Sequence, residues 1–244
     1  MSHRFFVPAE QITDKYVKLT GSDVSHIRTV LRLKTGASIQ VINGLGQLLT
    51  VRLVKVTVKE IHGEIIDSEK FNVESPLAIY LGLALTKGSK FDAALRASVE
   101  LGVSSVTSLT TDRCVIKKHL AKTKTERWKK IVLESSKQCG RAKVPLVADD
   151  IESLEEFCRN NDDRDIKLVF WENESNNSLK NIKLDQVPCS VAVLIGPEGG
   201  FSLDEINIVR EYGFQAVRMG PRIIRAETAP VVVLALLQSF WGDL

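Results

Sequence analysis

Two glycine- and proline-rich segments near the end of the chain constrain its fold more than anything before them. Gly196-Pro197-Glu198-Gly199-Gly200-Phe201 follows directly on the apolar run Val191 to Ile195. Met219-Gly220-Pro221-Arg222-Ile223-Ile224-Arg225-Ala226-Glu227-Thr228-Ala229-Pro230 follows a shorter run that starts at Ala216. Each apolar run reads as a buried strand, and each glycine segment as the turn at its end. Two such turns on neighbouring strands make a crevice lined by backbone N–H and C=O groups. In open α/β sheets that is where small ligands bind. A plain strand-to-helix turn does not need three glycines and a proline within five residues.

The rest of the chain divides into two grammars. Residues 1–71 read as β-rich: Arg4 to Val7, Ile39 to Asn43, Leu48 to Val58 and Ile61 to Ile66 are strands, with a hairpin turn at Gly44-Leu45-Gly46. One helix is expected from Asp23 to Leu33. Asn72 to Pro76 reads as a linker. Residues 72–244 alternate strands with helices, which predicts an α/β domain with a mostly parallel sheet. Its strands are Leu77 to Leu85, Val103 to Leu109, Ile166 to Trp171, Val191 to Ile195 and Ala216 to Met219. Its helices begin at Ser89 and stop at Gly102, run from Thr125 to Ala142, open at the capping box Ser202-Leu203-Asp204-Glu205 and stop at Gly213, and start again at Thr228 with Pro230 in the first turn.

The charge is uneven. Arg113 to Lys143 holds eleven Lys/Arg (113, 117, 118, 122, 124, 127, 129, 130, 137, 141 and 143) against Glu126 and Glu134, although the whole chain is only +3. Such an excess points to a polyanion such as RNA, with a solvated helix face as the plain alternative. Cys114, Cys139, Cys158 and Cys189 form no C-x-x-C pair, so reduced thiols in the cytoplasm are expected. Cys139 is read as packing. His3, His26, His62 and His119 make no metal-binding pair. A G-x-S-x-G elbow, a Walker loop and a dinucleotide fingerprint are all missing, which disfavours a serine hydrolase, an NTPase or a nicotinamide enzyme. The first residues carry no signal-peptide apolar run, and Val231 to Leu237 is too short to span a membrane.

Arg222, Arg225 and Glu227 fall in one loop, where they could position an anionic substrate or simply brace the loop. Arg141 is a candidate phosphate contact. His26, Arg28 and Arg32 share one predicted helix that could face RNA. Thr228 reads as an N-cap.

Taken together, the early R-F-F-V, the His26 to Gly36 run with Val30-Leu31-Arg32-Leu33-Lys34, Gly44-x-Gly46, Glu100-Leu101-Gly102-Val103, Arg127-Trp128 and Gln138-Cys139-Gly140-Arg141, with the two loops above, resemble the RsmE family of 16S ribosomal RNA uridine-N3 methyltransferases, within the SPOUT superfamily. The likeness spans nearly the whole chain. Ala97 stands where the family usually has lysine, with Arg96 adjacent.

The resemblance implies a SPOUT-type trefoil-knotted α/β domain preceded by a PUA-like β barrel. It also implies a homodimer, 16S rRNA of the small ribosomal subunit as partner, and S-adenosylmethionine as cofactor, with no metal. By that likeness the cofactor meets Glu172, Leu194, Gly196, Pro197, Glu198, Gly199, Gly200, Met219, Gly220, Ile224, Thr228 and Ala229. Arg225, Arg222 and Glu227 would act on the uracil, with Glu227 orienting an arginine ahead of the alternative that it accepts the N3 proton. RNA would be held by Arg4, His26, Arg28, Arg32, Arg113, Lys122, Lys124, Lys129, Lys130 and Arg141. Two other readings are a non-catalytic RNA-binding module of the same fold and a SPOUT enzyme for another RNA.

Overall fold

The computed structural model describes residues 4–116 and 123–244. Lys117, Lys118, His119 and Lys122, together with His3, lie outside them. The chain forms two compact units: residues 1–74 with 136–144, and residues 75–135 with 145–244. The segment around Arg141 therefore packs with the N-terminal residues, whereas the sequence reading grouped it with 72–244.

The first unit is a five-stranded sheet in the order β1-β3-β4-β5-β2. Its strands are β1 (Arg4–Phe6), β2 (Tyr16–Thr20), β3 (Ser38–Ile42), β4 (Gln47–Val56) and β5 (Glu60–Lys70). All neighbours are antiparallel except β1 and β3. The β3–β4 turn is fixed by the Asn43 side chain, whose Oδ1 accepts the Leu45 N–H at 2.8 Å. The inward positions Phe5, Val17, Leu19, Val41, Val51, Leu53 and Ile61 make its core. β2 was not read from sequence, yet its Y-V-K-L-T alternation buries Val17 and Leu19 and exposes the rest.

The helix expected over 23–33 is instead a short α1 (Ser22–Ser25) running into a π-helical turn, His26–Val30. Arg32 stops it. This residue takes φ 53°, the left-handed conformation usually left to glycine, and Leu33 N–H then donates to the Ile27 carbonyl at 3.0 Å.

Glu74, expected in a linker, is a clamp. Its Oε2 accepts from Arg141 Nε at 3.0 Å and also pairs with Nη2, while Oε1 accepts the backbone N–H of Ala142 and Lys143. Both side chains are nearly buried.

The second unit is a six-stranded sheet in the order β11-β9-β10-β6-β7-β8. It comprises β6 (Ala78–Ala84), β7 (Val103–Leu109), β8 (Leu146–Val147), β9 (Ile166–Phe170), β10 (Ser190–Ile195) and β11 (Gln215–Val217), and every neighbouring pair is parallel. The helices are α2 (Lys90–Glu100), α3 (Thr125–Cys139, whose end belongs to the first unit), α4 (Leu154–Asn160), α5 (Leu203–Glu211) and α6 (Ala229–Trp241). Ser202 and Glu205 make the expected reciprocal capping box at α5. Ser153 and Glu156 make the same box at α4, a helix the sequence reading passed over. Ser89 and Thr228 precede α2 and α6 without a side-chain cap bond. α6 starts instead on backbone bonds, with Ala229 N–H donating to Arg225 O at 2.8 Å and Pro230 placed where no N–H is needed. Cys139 is exposed, not packed. Cys158 is the buried thiol, and burial pushes it up to about 12.

Candidate active site

Register decides where the site lies. Val217 is level with Phe170, and Phe170 with Ile195, so β11, β9 and β10 end at one edge of the sheet. Each strand then releases a loop from its carboxyl end. The three loops line a cavity of about 440 Å³, within the range of small-ligand sites. Trp171 and Glu172 come from the first loop, Gly196 to Gly200 from the second, and Arg218 to Glu227 with Ala229 from the third.

The glycines are needed for shape. Gly200 has φ +68° and donates its N–H to Pro197 O at 3.0 Å, closing a tight turn. A Cβ there would run into the Glu172 carboxylate. A Cβ on Gly196 would stand 3.2 Å from the Phe201 ring, which is 1% exposed and anchors the loop to the core. Truncating that ring to alanine would cost about 3–5 kcal/mol by loss of packing. Gly220, at φ +111°, has open space where a Cβ would be. Arg113 Nη1 closes the outer side of the second loop by donating to Gly199 O at 2.7 Å.

Charge surrounds this cavity. Arg222 and Arg225 are exposed at its lining, and Ile223 between them is 88% exposed. Glu198 Oε1 accepts from Lys87 N–H at 3.2 Å and from Lys90 Nζ at 3.1 Å. Partial burial raises the Glu198 carboxyl, but its own backbone N–H, Lys90 and the Lys87 N–H outweigh that and hold it below the usual carboxylate range. Glu227 Oε2 is sequestered with no hydrogen-bond partner and lies 4.0 Å from Lys90 Nζ. Among the described residues its ion-pair partner is this lysine, not the arginine expected from sequence. Trp171 Nε1 is a second sequestered polar atom without a partner.

Of the residues expected at the cofactor, Glu172, Gly196, Pro197, Glu198, Gly199, Gly200, Met219, Gly220, Ile224 and Ala229 line the cavity, as do Arg222, Arg225 and Glu227. Leu194 does not, because the strand alternation turns it into the core at 0% exposure. Thr228 is exposed outside the lining. Sequence reasoning missed Lys90, Trp171 and Arg218. Lys90 carried no signal beyond a lysine beside a helix start.

The residues expected on RNA scatter more. Arg4, His26, Arg28 and Arg32 are exposed on the first unit, Arg4 stacked 4.8 Å over the Phe71 ring and His26 edge-on to Phe5 at 5.9 Å. On the second unit Lys130 is exposed and Lys124 half-buried. Lys129 is engaged by Asp149 and Glu126, which raise its pKa. Arg141 is a correction. At 8% exposure and held by Glu74, it braces the fold and offers no free guanidinium to a phosphate. Lys122 is outside the described residues. Among those described, no group of three His, Cys, Asp or Glu could hold a metal, and no helix is long and apolar enough to cross a membrane.

The RNA methyltransferase domain family matches residues 73–238, and the RNA methyltransferase PUA domain matches residues 19–66. The chain belongs to the RNA methyltransferase family. It is 31% identical to the ribosomal RNA small subunit methyltransferase E of Buchnera aphidicola subsp. Schizaphis graminum, over 99% of this chain and 96% of that one. To the protein of the same name from Synechocystis it is 32% identical, over 98% of this chain and 78% of the other. A solved methyltransferase from Legionella pneumophila, in complex with S-adenosylmethionine, superposes with a TM-score of 0.89 at 32% identity, each chain covered fully. The ribosomal RNA small subunit methyltransferase E of Neisseria gonorrhoeae, also bound to S-adenosylmethionine, does so at 0.87 and 32%, again over both whole chains. This family membership accounts for the parallel sheet preceded by a PUA domain.

Proposed function

We propose that the chain methylates N3 of a uridine in 16S ribosomal RNA of the small subunit, using S-adenosylmethionine held by the three loops. The observation that carries this reading is the level ending of β9, β10 and β11, from which three loops, two of them glycine-rich, enclose one cavity. The residues present fit that cofactor. Gly196, Gly199 and Gly200 line the cavity with no side chain to fill it, and Trp171 Nε1 and Glu227 Oε2 are sequestered polar atoms without a hydrogen-bond partner.

Bound there, S-adenosylmethionine supplies an electrophilic methyl group. Neutral uracil N3 is a poor nucleophile and must lose its proton, to water or to the Glu227 carboxylate at the lining. Arg225 and Arg222, cationic and exposed at the lining, favour negative charge on the flanking carbonyl oxygens and so favour the anion. The loop backbone holds the reacting groups in line, and such positioning lowers the barrier without a metal or a covalent step on the protein. Arg4, Arg28 and Arg32 on the first unit, with Lys124 and Lys130, are exposed or half-exposed cations suited to RNA phosphates, and His26 is exposed on the same first unit.

The same reading includes a cytoplasmic homodimer with a trefoil knot formed around the 219–229 loop. Val231, Val232, Ala235 and Leu236 leave a half-exposed apolar face on α6, which supports association of two copies.

The test is calorimetric titration of the protein with S-adenosylmethionine, followed by mapping of methylated uridine in 16S RNA after incubation. Saturable binding and a single N3-methyluridine are expected. A folded protein that binds no cofactor with or without RNA would overturn the enzyme in favour of a binding module, and a modified ribose or another base would overturn the substrate.

A further inference from the structure

We propose that Lys90 is a positioning residue that joins the two glycine-rich loops of the active site through their carboxylates. The inference rests on the reading of this cavity as the cofactor site. Lys90 is the first residue of α2, far in sequence from both loops, and its side chain lines the cavity. Its Nζ stands 3.1 Å from Glu198 Oε1 of the 196–200 loop, a partner 108 positions away, and 4.0 Å from Glu227 Oε2 of the 219–229 loop. The Lys87 N–H reaches the same Glu198 oxygen, so the start of α2 holds that loop by backbone as well as by side chain.

An ordinary exposed ion pair contributes little, and the Lys90 side chain is 41% exposed. Three features separate this one from that default. One ammonium serves two carboxylates on different loops. The nearer face of Glu227 is cut off from water and accepts no hydrogen bond, so Lys90 is the charge that compensates it. Without the ammonium, two carboxylates whose oxygens lie 3.1 Å and 4.0 Å from its position would lose their shared counter-charge in a partly desolvated site, where like charges repel. Other charged groups at the lining are Glu172, Arg218, Arg222 and Arg225, and among the described residues none of them is recorded as an ion-pair partner of Glu198 or Glu227. Removing Lys90 is therefore expected to spread the loops apart. The loss falls first on cofactor binding, and on methyl transfer only through misplacement.

The experiment measures the S-adenosylmethionine Kd by calorimetry and the single-turnover methylation rate on 16S RNA, for wild type, Lys90→Met, Lys90→Arg, Glu227→Gln and the Lys90→Met/Glu227→Gln pair. Denaturant unfolding of the same proteins reads the coupling between the two side chains without any cofactor. Lys90→Met is expected to raise Kd roughly tenfold, Lys90→Arg to restore most of it, and Glu227→Gln to relieve part of the defect because one of the facing charges is gone. A Kd and a rate unchanged in Lys90→Met, with no coupling in unfolding, would overturn the proposal. So would a defect that Lys90→Arg fails to repair and Glu227→Gln fails to relieve, since that pattern marks loss of α2 packing. If wild type binds no S-adenosylmethionine yet Lys90 and Glu227 remain coupled in unfolding, the ionic joint stands and the cofactor reading fails.

Discussion

The glycine-rich loops and the basic stretch Arg113 to Lys143 were comparably conspicuous in the sequence, and they behave oppositely in the structure. In the loops, the glycines that mark them do a local, backbone-determined job: Gly200 turns the chain at φ +68°, and Gly196 lets Phe201 close against it. Those requirements depend on near neighbours, so composition at a strand end is enough to read them. In the basic stretch, the task of each charge depends on which acid the fold brings to it. Glu74 takes Arg141, Asp149 and Glu126 take Lys129, Asp92 takes Arg127 and Asp23 takes Lys137. Among the described residues, four of the eleven cations are thus balanced by acids within the protein, and the part left for RNA is smaller than the count.

The sharpest break of this comparison is Arg141. Replacing it with alanine leaves Glu74 nearly buried without its partner, which costs about 3–5 kcal/mol of stability. Denaturant unfolding followed by fluorescence should show that loss, while RNA affinity of the remaining folded protein keeps its salt dependence. A stable variant with weaker, flatter RNA binding would return Arg141 to the nucleic-acid surface and erase the contrast.

Arg225→Ala tests the loops from the chemical side. It removes a charge placed for the developing anion, an effect of about 10²–10³ in the transfer rate. Cofactor affinity by calorimetry should hold, because the Arg225 carbonyl that caps α6 is backbone and survives the change. Loss of both together would make this arginine structural, like Arg141.

Gly200→Ala comes next. A left-handed alanine costs about 1–3 kcal/mol, and the new Cβ displaces Glu172. S-adenosylmethionine binding should weaken roughly tenfold to a hundredfold by that strain, with global stability changed less. Normal affinity would show that the loop tolerates side chains and that its glycines were over-read.

These contrasts also explain what was legible. Strands β6, β9 and β10 were read within a residue or two because each is a largely buried, mostly apolar run, and β7 was read from the β-branched and apolar positions Val103, Val106, Thr107 and Leu109. α5 was read from its capping box, and α4 carries the same signature at Ser153 and Glu156, so both helix starts are legible in the sequence. The two-residue β8 and the π-turn at His26 have no local signal, because packing alone sets them. At the site, the loop residues were legible and Lys90 was not. Its partners become neighbours only when β6, β9 and β10 align and carry α2 to the same edge.

The smallest expected effect separates two adjacent lysines. Lys129 and Lys130 sit side by side on α3 and were indistinguishable in the sequence. Lys130 is exposed, whereas Lys129 is held by Asp149 and Glu126. A free lysine that contacts a phosphate releases about one counterion on binding, so Lys130→Ala should lower the salt slope of RNA binding by about 1. Lys129→Ala should lower it by less, because its charge is already balanced within the protein and removing it frees two carboxylates that repel RNA at every salt concentration. It should therefore weaken binding with a smaller change in slope. Affinity measured across a salt series for both single variants decides the matter. Equal slopes and equal losses would mean that the acids around Lys129 release it when RNA arrives, and that a charge run can after all be counted at face value.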